Sequence, residues 1–160
     1  MTVKDYAHAL RHDPGYADKA RRIGELTRDL SELLPELVPA LKSRLKARAG
    51  ALAYHPPCTL QHGQQLKGGV EAGLRELGFE IACAPTDSHL CCGSAGTYSV
   101  LQPELSKQLR DRKLAALAPL QAEQIVSANI GCIQHLQSGC SQPVRHWVEV
   151  LDDALRGVGG

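Results

Sequence analysis

At 160 residues, with 43% hydrophobic and 22% charged side chains, the chain is long enough for one domain with a buried core. Eighteen Lys and Arg against 17 Asp and Glu give a formal net charge of +1, which excludes binding to nucleic acid or a membrane surface through bulk charge. Aromatic residues make up 4%, too few for a base-stacking platform, and no apolar run reaches transmembrane length. The polar opening Met1-Thr2-Val3-Lys4-Asp5 carries no signal peptide. The expected location is therefore cytoplasmic, either free or within an assembly attached to the inner face of a membrane.

Residues 1–48 read as a helical arm. A short helix over Val3 to Leu10 stops at His12-Asp13-Pro14-Gly15. A longer one carries Ile23, Leu26, Leu30, Leu33 and Leu34, an i, i+3, i+7 stripe expected to face a partner surface. Pro35 and Pro39 are expected to break the next turns, and Lys42 to Arg48 is a basic run read as a solvated face.

From residue 49 the pattern becomes regular. Ala51–His55 reads as a buried strand stopped by Pro56-Pro57, and a helix follows with Leu66, Val70, Leu74 and Leu77 on one side and Gly78 at its end. Phe79–Cys83 is the next strand. Pro103 opens a helix whose apolar side is expected to be Leu105, Leu109, Leu114 and Leu117. Gln124–Ala128 is a third strand, followed by a short helix. Pro143–Trp147 is a fourth strand, Val148–Leu155 a last helix, and Gly157–Gly160 a frayed tail. Strand–helix alternation with short loops predicts an α/β fold: a small parallel, Rossmann-like sheet of three to four strands flanked by helices, with the arm packed on one side.

The cysteines fall at informative places. Cys58 lies just past the first strand, Cys91 and Cys92 in the loop after the second, and Cys132 just past the third. In a parallel sheet, loops beyond the C-terminal strand ends line one crevice, so four sulfurs from three loops are predicted to converge there. With 32 residues between Cys58 and Cys91 and 39 between Cys92 and Cys132, the fold has to assemble the site. Gly93, Gly96 and Gly131 allow the backbone to approach a bulky group. Cys132 is expected near a helix N-terminus, where the dipole favours its thiolate. His135, one turn later, is a possible ligand, proton donor or hydrogen-bonding neighbour of the site. His55 and His89 flank the crevice as secondary candidates. Cys83 reads as core and Cys140 as a plain loop thiol; His62 and His146 read as surface or core. Six cysteines in a reducing compartment point to metal or redox chemistry rather than a disulfide frame. Zinc and an iron–sulfur cluster both remain open; the absence of short-spaced knuckles favours the cluster.

His55-Pro56-Pro57-Cys58, Cys91-Cys92-Gly93-Ser94-Ala95-Gly96 and Asn129-Ile130-Gly131-Cys132 together resemble the cysteine-rich CCG domain of heterodisulfide reductases, anaerobic glycerol-3-phosphate dehydrogenase and lactate- and glycolate-oxidising complexes. Val3–Pro14 and Gly131–Gly139 carry a closer resemblance, covering the whole chain, to the C-terminal part of glycolate oxidase iron–sulfur subunits. That resemblance implies Cys58, Cys91, Cys92 and Cys132 as ligands of an iron–sulfur cluster of 4Fe-4S type, with His135 as a further cofactor-binding residue. It implies an electron-transfer domain, inactive alone, in a flavin-dependent complex that oxidises glycolate or another 2-hydroxy acid. FAD is expected only on a partner flavoprotein subunit, and electrons are expected to pass toward a quinone. Two departures stand out. The family's fullest form ends in Cys-x-x-Cys, where this chain has His135 in the last position. Ferredoxin-like cysteine runs and a first CCG repeat are also absent, so the resemblance implies one portion of a larger iron–sulfur subunit. A redox-inactive module holding zinc, or nothing, is the competing reading, and a cysteine-nucleophile enzyme ranks below both.

Overall fold

The computed structural model describes residues 2–47 and 50–158. Strands β1 (Leu52–His55), β2 (Ile81–Cys83), β3 (Gln124–Ser127) and β4 (Val144–His146) form one sheet in the order β2-β1-β3-β4. Every pairing is parallel, with Leu52 opposite Ile81 and Gln124, and Ile125 opposite Val144. Helices α1 (Tyr6–Ala9), α2 (Ala17–Leu26) and α3 (Leu30–Lys42) precede the sheet. Its connections carry α4 (Gly69–Glu76), α5 (Tyr98–Leu101), α6 (Pro103–Leu117) and α7 (Ile130–Gln137), and α8 (Trp147–Arg156) ends the chain. The α/β architecture with a four-stranded parallel sheet is thus as the alternation predicts.

Period-two alternation divides the core. Leu52, Tyr54 and Val126 face one side, where Leu34 and Val38 of α3, Val70 and Leu74 of α4, and Trp147, Val150, Leu151 and Ala154 of α8 cover them. Ala53 and Ile125 face the other, against Leu117 of α6 and Ile133 and Leu136 of α7. The chain winds outward from β1 to β2 and the opposite way from β3 to β4. The C-terminal ends of β1 and β3 therefore form the switch point at which an open α/β sheet leaves a crevice.

Several local expectations fail, each for a tertiary or capping reason. The stripe from Ile23 to Leu34 is not one helix. α2 ends at Leu26, and Asp29 starts α3 afresh with a capping box: its carboxylate accepts from Ser31 N at 3.0 Å while Glu32 reaches back to Asp29 N at 2.7 Å. Ile23, Leu26 and Leu30 are exposed; Leu34 and Val38 make the contact with the sheet. Pro35 and Pro39 do not break α3, which runs through both. Burial of Leu34 and Val38 offsets the lost amide donors. Leu34 packs so closely on α4 that a Cβ on Gly73 would lie 2.5 Å from Leu34 Cδ2.

Helix α6 buries only the C-terminal part of its leucine stripe, with Leu117 in the core and Leu114 packed against it. Its inward residues are Ser106, Lys113 and Leu117, whereas Leu105 is exposed. His146 caps α8, its Nδ1 accepting from Val148 N at 3.2 Å, and Gly157 ends that helix in the left-handed region with φ 81°. Arg48 of the basic run, the 48/49 domain boundary and the last two tail glycines lie outside the described residues. Among the described residues no helix is long and apolar enough to cross a membrane.

Candidate metal centre

Three loops build the site. The first leaves β1 at His55, whose side chain alternates with Tyr54 onto the α6/α7 side and is completely buried. Pro56 and Pro57 end the strand because neither can donate to the ladder, and Cys58 leads into a π-helical turn over Thr59–Gly63. Ser127, opposite His55 on β3, donates its hydroxyl to the His55 carbonyl at 2.8 Å and locks the two strand ends together.

The second loop carries Cys91 and Cys92. Lys113 of α6, buried to 2% exposure, donates its ammonium to the carbonyls of Asp87 and Ser88 and holds the loop's entry. Gly93 leaves the cysteines with φ 95°, and a Cβ there would sit 2.4 Å from the Ser106 carbonyl oxygen. Only glycine allows this close approach. Ser106 completes the clasp by donating its hydroxyl to the Gly93 carbonyl at 2.8 Å. The third loop ends at Asn129, the N-cap of α7, whose side chain accepts from Cys132 N at 3.2 Å and fixes Cys132 in the first turn.

These loops bring one nitrogen and two sulfur donors together. The ligand atoms of His55, Cys92 and Cys132 all lie within 4.8 Å of one another, and all three residues are buried. Ser94 Oγ stands 3.1 Å from Cys92 Sγ and 3.8 Å from Cys132 Sγ, touching both sulfurs. Cys91 Sγ accepts from Gly93 N at 3.3 Å. Cys58 lies beside Cys91, with burial and the Cys91 sulfur both pushing its thiol pKa up.

Contact with Cys132, with further help from Ser94 and the nearby His55 ring, outweighs burial and lowers the Cys92 pKa, while the same contact raises that of Cys132. At Cys132 the expected lowering by the helix dipole is opposed by contact with Cys92 and by burial, which push its thiol pKa up. Lys113 is pulled down by its burial and held up by the surrounding thiols and Asp87. The two ring nitrogens of His55 have no hydrogen-bond partner. A buried donor or acceptor left unpaired costs about 1–3 kcal/mol. Buried sulfur and imidazole donors converging at one place, with that imidazole unpaired, fit a soft metal or an iron–sulfur group.

The remaining candidates separate cleanly. His135 is half-buried and outside this group, its Nε2 engaged beside Gly93 at 3.1 Å from Ser106 Oγ and 3.2 Å from Ser106 O. His89 and His62 are exposed, joined only by a 3.5 Å contact from the His62 ring to the His89 carbonyl. Cys83 packs against the aliphatic core near Glu71, and Cys140 donates to the Leu136 and Gln142 carbonyls. The sequence reading missed Lys113, Ser106 and Ser94. Ser106, Lys113 and Leu117 do fall at helical spacing, but two polar residues in an inward stripe look like a solvated face.

A match to the family model "CCG: Cysteine-rich domain" extends over residues 52–137, from β1 to the end of α7. The chain belongs to the CCG cysteine-rich domain family. Among curated proteins, the glycolate oxidase iron-sulfur subunit of Escherichia coli K12 is 52% identical over 153 residues, covering 96% of this chain and 37% of that protein. Lactate utilization protein A of Geobacillus thermodenitrificans is 31% identical over 159 residues, 94% of this chain and 64% of that protein. A probable glycolate oxidase iron-sulfur subunit of Bacillus subtilis is 29% identical over 145 residues, covering 86% of this chain and 31% of that protein. This CCG chain thus spans about a third of the glycolate oxidase subunits and under two thirds of lactate utilization protein A.

Proposed function

We propose that this chain is an electron-transfer domain of a flavin-dependent 2-hydroxy-acid dehydrogenase complex acting on glycolate. A separate flavoprotein subunit removes two electrons and two protons from glycolate to give glyoxylate, and the electrons leave toward a membrane quinone. This domain is a non-flavin part of that complex and is inactive alone. The convergence of Cys92, Cys132 and His55 at the sheet's switch point carries the reading, supported by the similarity to the E. coli iron-sulfur subunit.

Cys58, Cys91, Cys92 and Cys132 are the proposed thiolate ligands. They would hold an iron–sulfur group, of 4Fe-4S type in this reading, whose chemistry there would be one-electron transfer. The chain's own contribution is preorganisation. Ser94 and Gly93 N direct hydrogen bonds at the sulfurs, and the Cys92 thiol ionises readily. Burial of Cys92 and Cys132 excludes water, and the Lys113 ammonium offsets the negative charge that thiolates bring into the interior.

Anaerobic reconstitution with ferrous iron and sulfide tests the proposal. The expected product is a brown protein with thiolate-to-iron absorption and stoichiometric iron and sulfide. Cys92→Ser should abolish uptake and Cys140→Ser should leave it intact. A colourless protein that holds one zinc, or no metal, overturns the electron-transfer reading.

A further inference from the structure

We propose that His55 supplies a ring nitrogen to the iron of this site, so that the centre is held by mixed nitrogen and sulfur ligands rather than by thiolates alone. The inference rests on the iron–sulfur reading and concerns a residue outside the cysteine set.

His55 is the last residue of β1, and its exposure is zero. Its backbone is fixed against β3, through the register Tyr54–Val126 and His55–Ser127 and the Ser127 hydroxyl on its carbonyl. Its ring is held on the same side of the sheet as Cys92 and Cys132, within 4.8 Å of both sulfurs by one of its nitrogens. Neither nitrogen finds a partner among the surrounding groups. Buried polar groups in folded proteins are almost always paired, so a ring with both nitrogens unpaired beside two thiols is what a metal-accepting imidazole looks like before it is filled. His135 is the obvious competitor, one turn beyond Cys132, but its Nε2 is already engaged by Ser106. A neutral imidazole ligand leaves the centre one negative charge smaller than a thiolate would, which raises its reduction potential.

Pulsed electron paramagnetic resonance decides the matter on the whole chain reconstituted with iron and sulfide, then reduced. The expected result is a strong histidine nitrogen coupling that changes on ¹⁵N-histidine labelling and disappears in His55→Gln, while His135→Gln keeps it. Because the labelling arm uses the unsubstituted protein, it stands even where His55→Gln folds poorly. Iron bound without any histidine coupling overturns the inference and leaves the iron–sulfur reading in place. A coupling that survives in folded His55→Gln also overturns it, since another histidine is then the ligand. Failure of the unsubstituted chain to bind iron overturns both.

Discussion

The two sides of the sheet are built from different chemistry. On the side covered by α3, α4 and α8, Leu34, Val38, Leu52, Val70, Leu74, Val150 and Leu151 pack as a largely apolar core, with the Tyr54 hydroxyl and the Gln124 side chain as buried exceptions. On the side covered by α6 and α7, the buried set includes His55, Cys92, Ser106, Lys113, Ser127 and Cys132. Burying polar groups costs free energy unless they are paired. Ser106, Ser127 and Lys113 meet that requirement through hydrogen bonds to backbone carbonyls; His55 does not. The lesson is a division of labour within one small domain. The apolar side supplies the cohesion that lets the thiol side keep a preformed polar site.

Three substitutions test that division, beginning with the strongest. Gly93→Ala places a Cβ against the Ser106 carbonyl in a left-handed backbone, so the loop must move. Iron affinity should fall roughly 10–100-fold, the range expected when a supporting contact of a metal site is lost. Unchanged iron content would show that the clasp between Gly93 and Ser106 does not shape the site. Leu74→Ala hollows the opposite core and should destabilise the fold by about 2–5 kcal/mol in denaturant titration, with iron per folded molecule unchanged. Should iron content fall in proportion to stability instead, the two sides work as one unit and the comparison fails.

The smallest expected effect is at the capping box of α3. Burial raises the Asp29 pKa, but hydrogen bonds from Ser31 and Gln64 outweigh it and hold the carboxyl below its usual 3.8. Hydrogen bonds from Lys4 and from Asp29 N do the same for Glu32, usually 4.5. Both groups bind protons less readily when folded. Their contribution is therefore complete above these usual values and is lost as pH falls through the lower folded ones. Asp29→Ala should cost about 1 kcal/mol at neutral pH and reduce the loss of stability below pH 3.8, without touching the metal site. Parallel acid-unfolding curves for the two proteins would remove the cap from the account.

What the sequence by itself determined was the frame. Proline after β1, glycine after α4, proline opening α6 and the runs of strand-forming residues are local signals, and local signals set where elements begin and end. The placement of Cys58, Cys91, Cys92 and Cys132 just past strand ends followed from that frame, because a parallel sheet sends all such loops to one edge. Tertiary structure decided the rest. As text, His135 ranks as a cofactor-binding residue and His55 only as a secondary candidate. In the fold His55 is sealed among thiols with free nitrogens and His135 has its Nε2 engaged by Ser106, a difference created by residues far away in the chain. Lys113 carries no signal in the sequence, and only the packing of α6 turns it inward onto the carbonyls of Asp87 and Ser88. The opposite shifts of the Cys92 and Cys132 thiols likewise come from their contact with each other. Burial, pairing and charge are properties of neighbours in space, and only the folded chain names them.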